Sequence, residues 1–137
     1  MRTILIAHDK KENPSLLQMA FTESNINNPI FFFTNGLELT HHLVKSLTQR
    51  QSLPAFILLD LNMSQIDGKA TIKELKSNSV VKSIPVVVFS TSSAQKDIAD
   101  CYDLGANSYL IKPDSFTKLV EMITQTCTFW LDINCGQ

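Results

Sequence analysis

Four side chains that can handle a phosphoryl group follow short apolar runs in this sequence. Asp9 comes just after residues 3–7, Asp60 after 56–59, Ser90 after 85–89 and Lys112 after 108–111. Carboxylates held close together repel, so they share a proton or bind a hard cation. Mg2+ fits such a pair, because it takes a few carboxylate oxygens while keeping waters and a substrate phosphate. An aspartate is an established covalent phosphate carrier. The acyl phosphate then needs a metal to neutralise charge, a lysine on a second oxygen and a hydroxyl on a third. Asp9, Asp60, Lys112 and Ser90 make up that inventory. Thr91 could replace Ser90, although the spacing from Pro85 favours Ser90. Each residue alone also has an ordinary role: a turn cap for Asp60, a solvated acid for Asp9 beside Lys10 and Lys11, a surface lysine for Lys112. Only convergence makes them a site.

Convergence depends on the elements that carry them. Residues 3–7 (TILIA), 30–33 (IFFF), 56–59 (FILL), 85–89 (PVVVF) and 108–111 (SYLI) are apolar runs suited to strands. Continuous rather than alternating runs suit parallel strands covered on both faces. Helical punctuation lies between them. Asn13-Pro14 predicts a cap and first turn, with Leu16, Leu17, Ala20 and Phe21 on one face. Leu39, Leu43 and Leu47 recur every four residues; residues 68–77 carry Ile72 and Leu75. Ile98, Cys101 and Tyr102 align behind the cap candidates Ser92-Ser93, and Gly105 makes a stop. Phe116, Leu119, Val120, Ile123, Cys127, Trp130 and Leu131 trace a final stripe. Five βα units imply an α/β, flavodoxin-like doubly wound (βα)5 fold whose parallel sheet has the order 2-1-3-4-5. Its crevice lies at the carboxyl ends of the strands, near the switch point between strands 1 and 3.

A chain of 137 residues fits one domain, here 1–137 with the last helix and a short tail from about 115, and leaves little room for an effector domain. A formal net charge of -1 argues against a nucleic-acid or membrane binder, either of which wants a basic excess. No stretch reads as a signal peptide or approaches a membrane span. Cys101, Cys127 and Cys135 lack metal-ligand spacing and read as reduced thiols of a cytoplasmic protein, the first two in the core. The adjacent His41-His42 cannot chelate as an i, i+4 pair would, and read as surface residues.

The chain resembles the receiver domain of bacterial response regulators over nearly its whole length. The resemblance rests on four ordered motifs, ILIAHD (4–9), LLDLNMSQIDG (58–68), IPVVVFS (84–90) and GANSYLIKP (105–113). It implies Asp60 as phosphoacceptor, Asp9 as a Mg2+ ligand and the Asn62 backbone carbonyl as another. It also implies Ser90 as the hydroxyl that moves onto the phosphoryl group, Tyr109 as the aromatic that follows it, and Lys112 as the oxygen-binding cation. Such proteins catalyse their own phosphorylation, from a sensor histidine kinase or a histidine phosphotransfer protein, and their own slow hydrolysis. They are switches rather than enzymes in the usual sense, and signal by binding a downstream protein. The Thr91-Ser92-Ser93 stretch and Trp130 are most similar to the single-domain regulators that accompany phytochrome-type kinases.

Two positions depart from the pattern. His8, expected with Thr91 at the pocket rim, stands where the family usually has a second acid that touches Mg2+ through water, which implies weakened metal affinity rather than lost chemistry. A charged His8 could instead contact the phosphoryl group directly, or the ring could simply be hydrogen-bonded at the rim. Ser64 replaces a common proline. These departures are the support for a second reading, an interaction module that acts without phosphorylation; retention of Asp9, Asp60 and Lys112 argues against it. A nucleotide or flavin enzyme would need a glycine-rich or hydroxyl-rich loop after strand 1, and HDKKEN stands there instead. Spare apolar surface on the last helix suits a homodimer or another partner.

Overall fold

The computed structural model describes residues 2–8, 15–49, 52–61 and 65–135, with 65–67 as backbone only. Its strands are β1 (Ile4–Ala7), β2 (Ile30–Phe33), β3 (Phe56–Asp60), β4 (Val86–Ser90) and β5 (Ser108–Ile111). They alternate with α1 (Leu16–Glu23), α2 (Gly36–Thr48), α3 (Gln65–Ser77), α4 (Gln95–Leu104) and α5 (Phe116–Cys127), and a π-helical extension covers Thr128–Ile133. All strand pairings are parallel, and the order is β2-β1-β3-β4-β5, as the alternation predicts.

The continuous apolar runs are explained by burial on both faces. Every residue of β1, β3 and β4 is buried. The edge strands are only partly covered, so Phe31 and Ile111 reach solvent. Leu17, Ala20 and Phe21 of α1 join Leu119, Ile123 and Cys127 of α5 over Ile4, Ile6, Leu58 and Phe89. On the opposite face, Leu39, Leu43, Ile72, Leu75 and Cys101 bring α2, α3 and α4 onto Leu5, Ile57, Leu59 and Val88. Among the described residues, no helix is long and apolar enough to cross a membrane.

Local chemistry sets the helix ends. Ser15 caps α1 in a reciprocal box, accepting from Gln18 N–H at 3.2 Å while the Gln18 side chain accepts from Ser15 N–H at 2.8 Å. The expected cap pair Asn13-Pro14 lies outside the described residues. Asn35 and Ser115 cap α2 and α5 through the N–H groups of Glu38 and Lys118. Gly105 ends α4 at φ 112°, where Ala106 N–H reaches Cys101 O, the Schellman closure that a left-handed glycine permits.

Several boundaries and faces differ from expectation. Pro85 stays outside β4 and offers its carbonyl to Ile57 N–H, since it has no N–H for the ladder. Neither Ser92 nor Ser93 is the α4 cap; Ala94 holds that position without a side-chain bond. Leu16, Tyr102 and Phe116 are exposed, because each sits at the margin of a stripe whose centre is covered by only one sheet face. The π-helical turn after Cys127 widens the last helix, so Trp130 and Leu131 are only half-buried. His42 is not a plain surface residue: its ring packs 5.3 Å from Phe31 and 5.1 Å from Phe33, while His41 is exposed.

A Cβ at Gly36 would collide with Thr71 Oγ1 and come within 2.9 Å of Thr71 Cβ, so α2 and α3 approach as closely as a glycine allows. Gly36→Ala is expected to lower stability by about 1–3 kcal/mol in urea unfolding. Burial pushes the Cys127 thiol up to about 12 and raises that of Cys101, whereas Cys135 is exposed. Iodoacetamide should therefore alkylate Cys135 alone in the folded protein and all three thiols after denaturation, as read by peptide mass.

Candidate phosphoacceptor site

The strand register assembles the site. Asp60 closes β3 opposite Phe89, and Ser90 closes β4 opposite Ile111. Side chains alternate between sheet faces, so Asp60 shares the α1/α5 face with Phe89 while Ser90 and Tyr109 belong to the α3/α4 face. Lys112 follows β5 directly, and its N–H donates to Ser90 O at 2.7 Å. Its Nζ donates to Asp60 Oδ2 at 2.9 Å and stands 5.2 Å from the centre of the Phe89 ring. Asp60 is only 5% exposed. Ionised, a carboxylate so placed depends on the cation beside it.

His8 follows β1, which is next to β3 at the switch point, and its N–H donates to Phe33 O. Its side chain lies deeper than the pocket rim, at 7% exposed. Nδ1 stands 3.7 Å from Asp60 Oδ2, Nε2 is 3.0 Å from Ser15 Oγ, and Phe32 meets the ring edge-on. Thr91, expected at the rim, is exposed. Asp9 and Asn62 lie outside the described residues. Of the groups a divalent cation uses, the described residues bring the buried Asp60 carboxylate and the facing His8 imidazole together here, and no cluster of three or more His, Cys, Asp or Glu forms among them. Asp60 is the residue in view that would hold the ion.

Ser90 and Tyr109 meet on one residue, Ser92, that the sequence offered as a helix cap and as part of the Thr91-Ser92-Ser93 stretch. Ser90 Oγ accepts from Ser92 N–H at 3.0 Å, and Tyr109 Oη donates to Ser92 O at 2.9 Å. Ser92 Oγ donates to Asp97 Oδ2 at 2.6 Å and accepts from Ala94 N–H. Lys69 of α3 then bridges Asp97 at 3.1 Å and Asp100 at 3.0 Å, and Lys96 joins Asp100. The role of Ser92 is invisible in sequence, because its partners come from β4, β5 and α4. The one local signal, a serine five residues before Asp97, is too common to single it out.

The chain belongs to the response regulator receiver family: the family model of the response regulator receiver domain matches residues 4–124. Response regulator Rcp1 of Synechocystis sp. is 33% identical over 132 residues, 96% of this chain and 90% of Rcp1. The Mn2+-bound crystal structure of Rcp1 has a TM-score of 0.83 to this fold at 31% identity, covering 100% of this chain and 99% of the other. The phosphorylated cyanobacterial phytochrome response regulator RcpA gives 0.84 at 32% identity, covering 98% and 97%. Response regulator RPA3017 in red light signaling of R. palustris gives 0.88 at 28% identity, covering 100% and 99%. The resemblance read from the sequence, including its leaning towards the phytochrome-associated regulators, is borne out. The protein is a receiver in phosphorelay signalling, a switch rather than a classical enzyme; the phosphate-independent module gains no support. Receivers accept phosphoryl groups from histidine kinases and bind a divalent metal at the active site.

The Ser92 hydroxyl, then Lys69, hold Asp97 below its ordinary value of 3.8, and Lys96, then Lys69, do the same for Asp100. Depressed carboxylates stabilise the fold above their unfolded value and lose that contribution as pH falls through the folded one. The α3–α4 contact is therefore expected to hold at neutral pH and to weaken below about pH 3.8. Amide exchange in α4 would speed up on acidification, and Lys69→Met would flatten that dependence.

Proposed function

We propose that Asp60 is the phosphoacceptor, that Lys112 and Ser90 bind phosphoryl oxygens, and that Ser90 and Tyr109 carry the switch. The observation that supports this most is the buried Asp60 carboxylate with Lys112 Nζ at 2.9 Å. A carboxylate oxygen of Asp60 attacks the phosphorus of a phosphohistidine. The P–N bond breaks, an acyl phosphate forms, and the released imidazole takes up a proton. Lys112, already in contact with Asp60, moves its ammonium only slightly to pair with a phosphoryl oxygen. We assign Asp9, Asp60 and the Asn62 carbonyl as the residues that would hold Mg2+, which would supply positive charge to offset the phosphoryl oxygens. Thr91 stands at the rim, where the phosphodonor enters.

Phosphorylation biases an existing equilibrium between two arrangements. Ser90 can hydrogen-bond the phosphoryl group only by giving up its bond from Ser92 N–H or re-aiming its own proton. Giving up that bond releases the Ser92 backbone, whose carbonyl holds Tyr109 and whose hydroxyl holds Asp97 at the start of α4. The face of α4 and β5, with Tyr102 and Ile111 exposed, is then the surface a downstream protein reads. The donor is a sensor histidine kinase or a histidine phosphotransfer protein, phytochrome-type by likeness to RcpA. A cytoplasmic location and self-catalysed, slow dephosphorylation belong to the same reading.

Intact mass after incubation with acetyl phosphate tests it. A Mg2+-dependent gain of one phosphoryl group is expected, absent in Asp60→Asn and slowed by about 100-fold or more in Lys112→Ala. Labelling that survives Asp60→Asn would overturn the assignment.

A further inference from the structure

His8 has the attributes of a metal ligand rather than of a filler. Its imidazole is almost completely buried and is held from three sides. The backbone N–H is tied to Phe33 O, Phe32 meets the ring edge-on, and Ser15 Oγ anchors Nε2 at 3.0 Å. Ser15 is itself fixed as the α1 cap, its oxygen accepting from Gln18 N–H. A hydroxyl oxygen has a second lone pair, so it can also accept from Nε2–H. That tautomer leaves the Nδ1 lone pair on the side of Asp60 Oδ2, 3.7 Å away, an oxygen that an ion would share with Lys112 Nζ at 2.9 Å. Metal-binding histidines are oriented in the same way, with the far ring nitrogen donating to a fixed partner. Two donors that each lie about 2.1 Å from one ion can be up to about 4.2 Å apart, so a single cation can touch both.

We propose that His8 Nδ1 is a direct ligand of the divalent ion held by Asp60, and that it turns the site's preference from Mg2+ towards imidazole-binding transition metals. Mg2+ is a hard ion that takes oxygen ligands, whereas imidazole suits Ni2+, Zn2+ and their neighbours. A nitrogen in place of an acidic oxygen removes one negative charge and one hard donor, which weakens Mg2+ and spares the softer ions. This rests on Asp60 as the metal-holding carboxylate, the reading proposed above. It gives His8 a selective role beside the weakened Mg2+ affinity that the sequence implied.

The test uses untagged full chain. Calorimetric titration with Mg2+ and with Ni2+ is run on the wild type, His8→Asp and Asp60→Asn, and pulsed electron paramagnetic resonance is run on the Mn2+-loaded wild type. The Ni2+ to Mg2+ affinity ratio is expected to fall by at least about tenfold in His8→Asp. The Mn2+ spectrum should show coupling to one directly bound nitrogen, lost in Asp60→Asn. Metal binding that depends on Asp60 but lacks nitrogen coupling, with an unchanged ratio in His8→Asp, would overturn the role of His8 and leave the site itself intact. Binding indifferent to Asp60→Asn would overturn the underlying reading and the proposal with it. The spectrum of the wild type decides the ligand even where a variant folds poorly.

Discussion

A carboxylate buried at the end of a central parallel strand makes demands on everything around it. Asp60 is covered on all sides and meets Lys112 Nζ at 2.9 Å, from a residue 52 positions further along the chain. Removing one partner of such a buried pair leaves an uncompensated charge, at a typical cost of about 3–5 kcal/mol. The pair therefore requires β3, β4 and β5 to stay in register, because Lys112 arrives by continuing β5 one residue past Ile111. It also requires Phe89 beneath the ammonium, and hence the apolar face built with α1 and α5. The proposed phosphoryl site draws on the same arrangement, since it too needs a concentrated, water-poor meeting of opposite charges.

The sheet separates the proposed chemistry from the proposed read-out. Strand alternation sends Asp60 to the α1/α5 side and Ser90 and Tyr109 to the α3/α4 side, with Asp60 and Ser90 both at the carboxyl ends of their strands. Ser92 joins them to α4 through both its backbone and its hydroxyl. Beyond Ser92, the Lys69–Asp97–Asp100 cluster ties α4 to α3. Its members are about a third exposed, so solvent screens their attraction, and the contact is suited to rearrangement rather than to permanent bracing.

Much of this was readable beforehand, for a physical reason. Runs such as FILLD and VVVFS must be covered on both faces, and alternation with helices then leaves few topologies. The rule that such sheets bind ligands at their carboxyl ends joins Asp60 and Lys112 from the sequence alone. The failures were of a different kind. Tyr102 and Phe116 lie at the edges of helical stripes, where periodicity cannot tell a covered margin from an open one. His42 looked like surface because nothing local announces the two phenylalanines of β2 that flank it. Ser92 was read as a cap, and the α4 cap fell on Ala94.

The sequence by itself determined the fold class, the order of the strands and the set of reactive side chains. These follow from period, composition and the ends of apolar runs, all properties of neighbouring residues. The tertiary structure decided how those side chains are directed. It buried His8 against Asp60 and anchored it on Ser15, and it made Ser92 the junction between Ser90, Tyr109 and Asp97. Those contacts join residues from separate elements, and their geometry is set by register and packing. A chain read in one dimension carries the parts of such a junction without their distances.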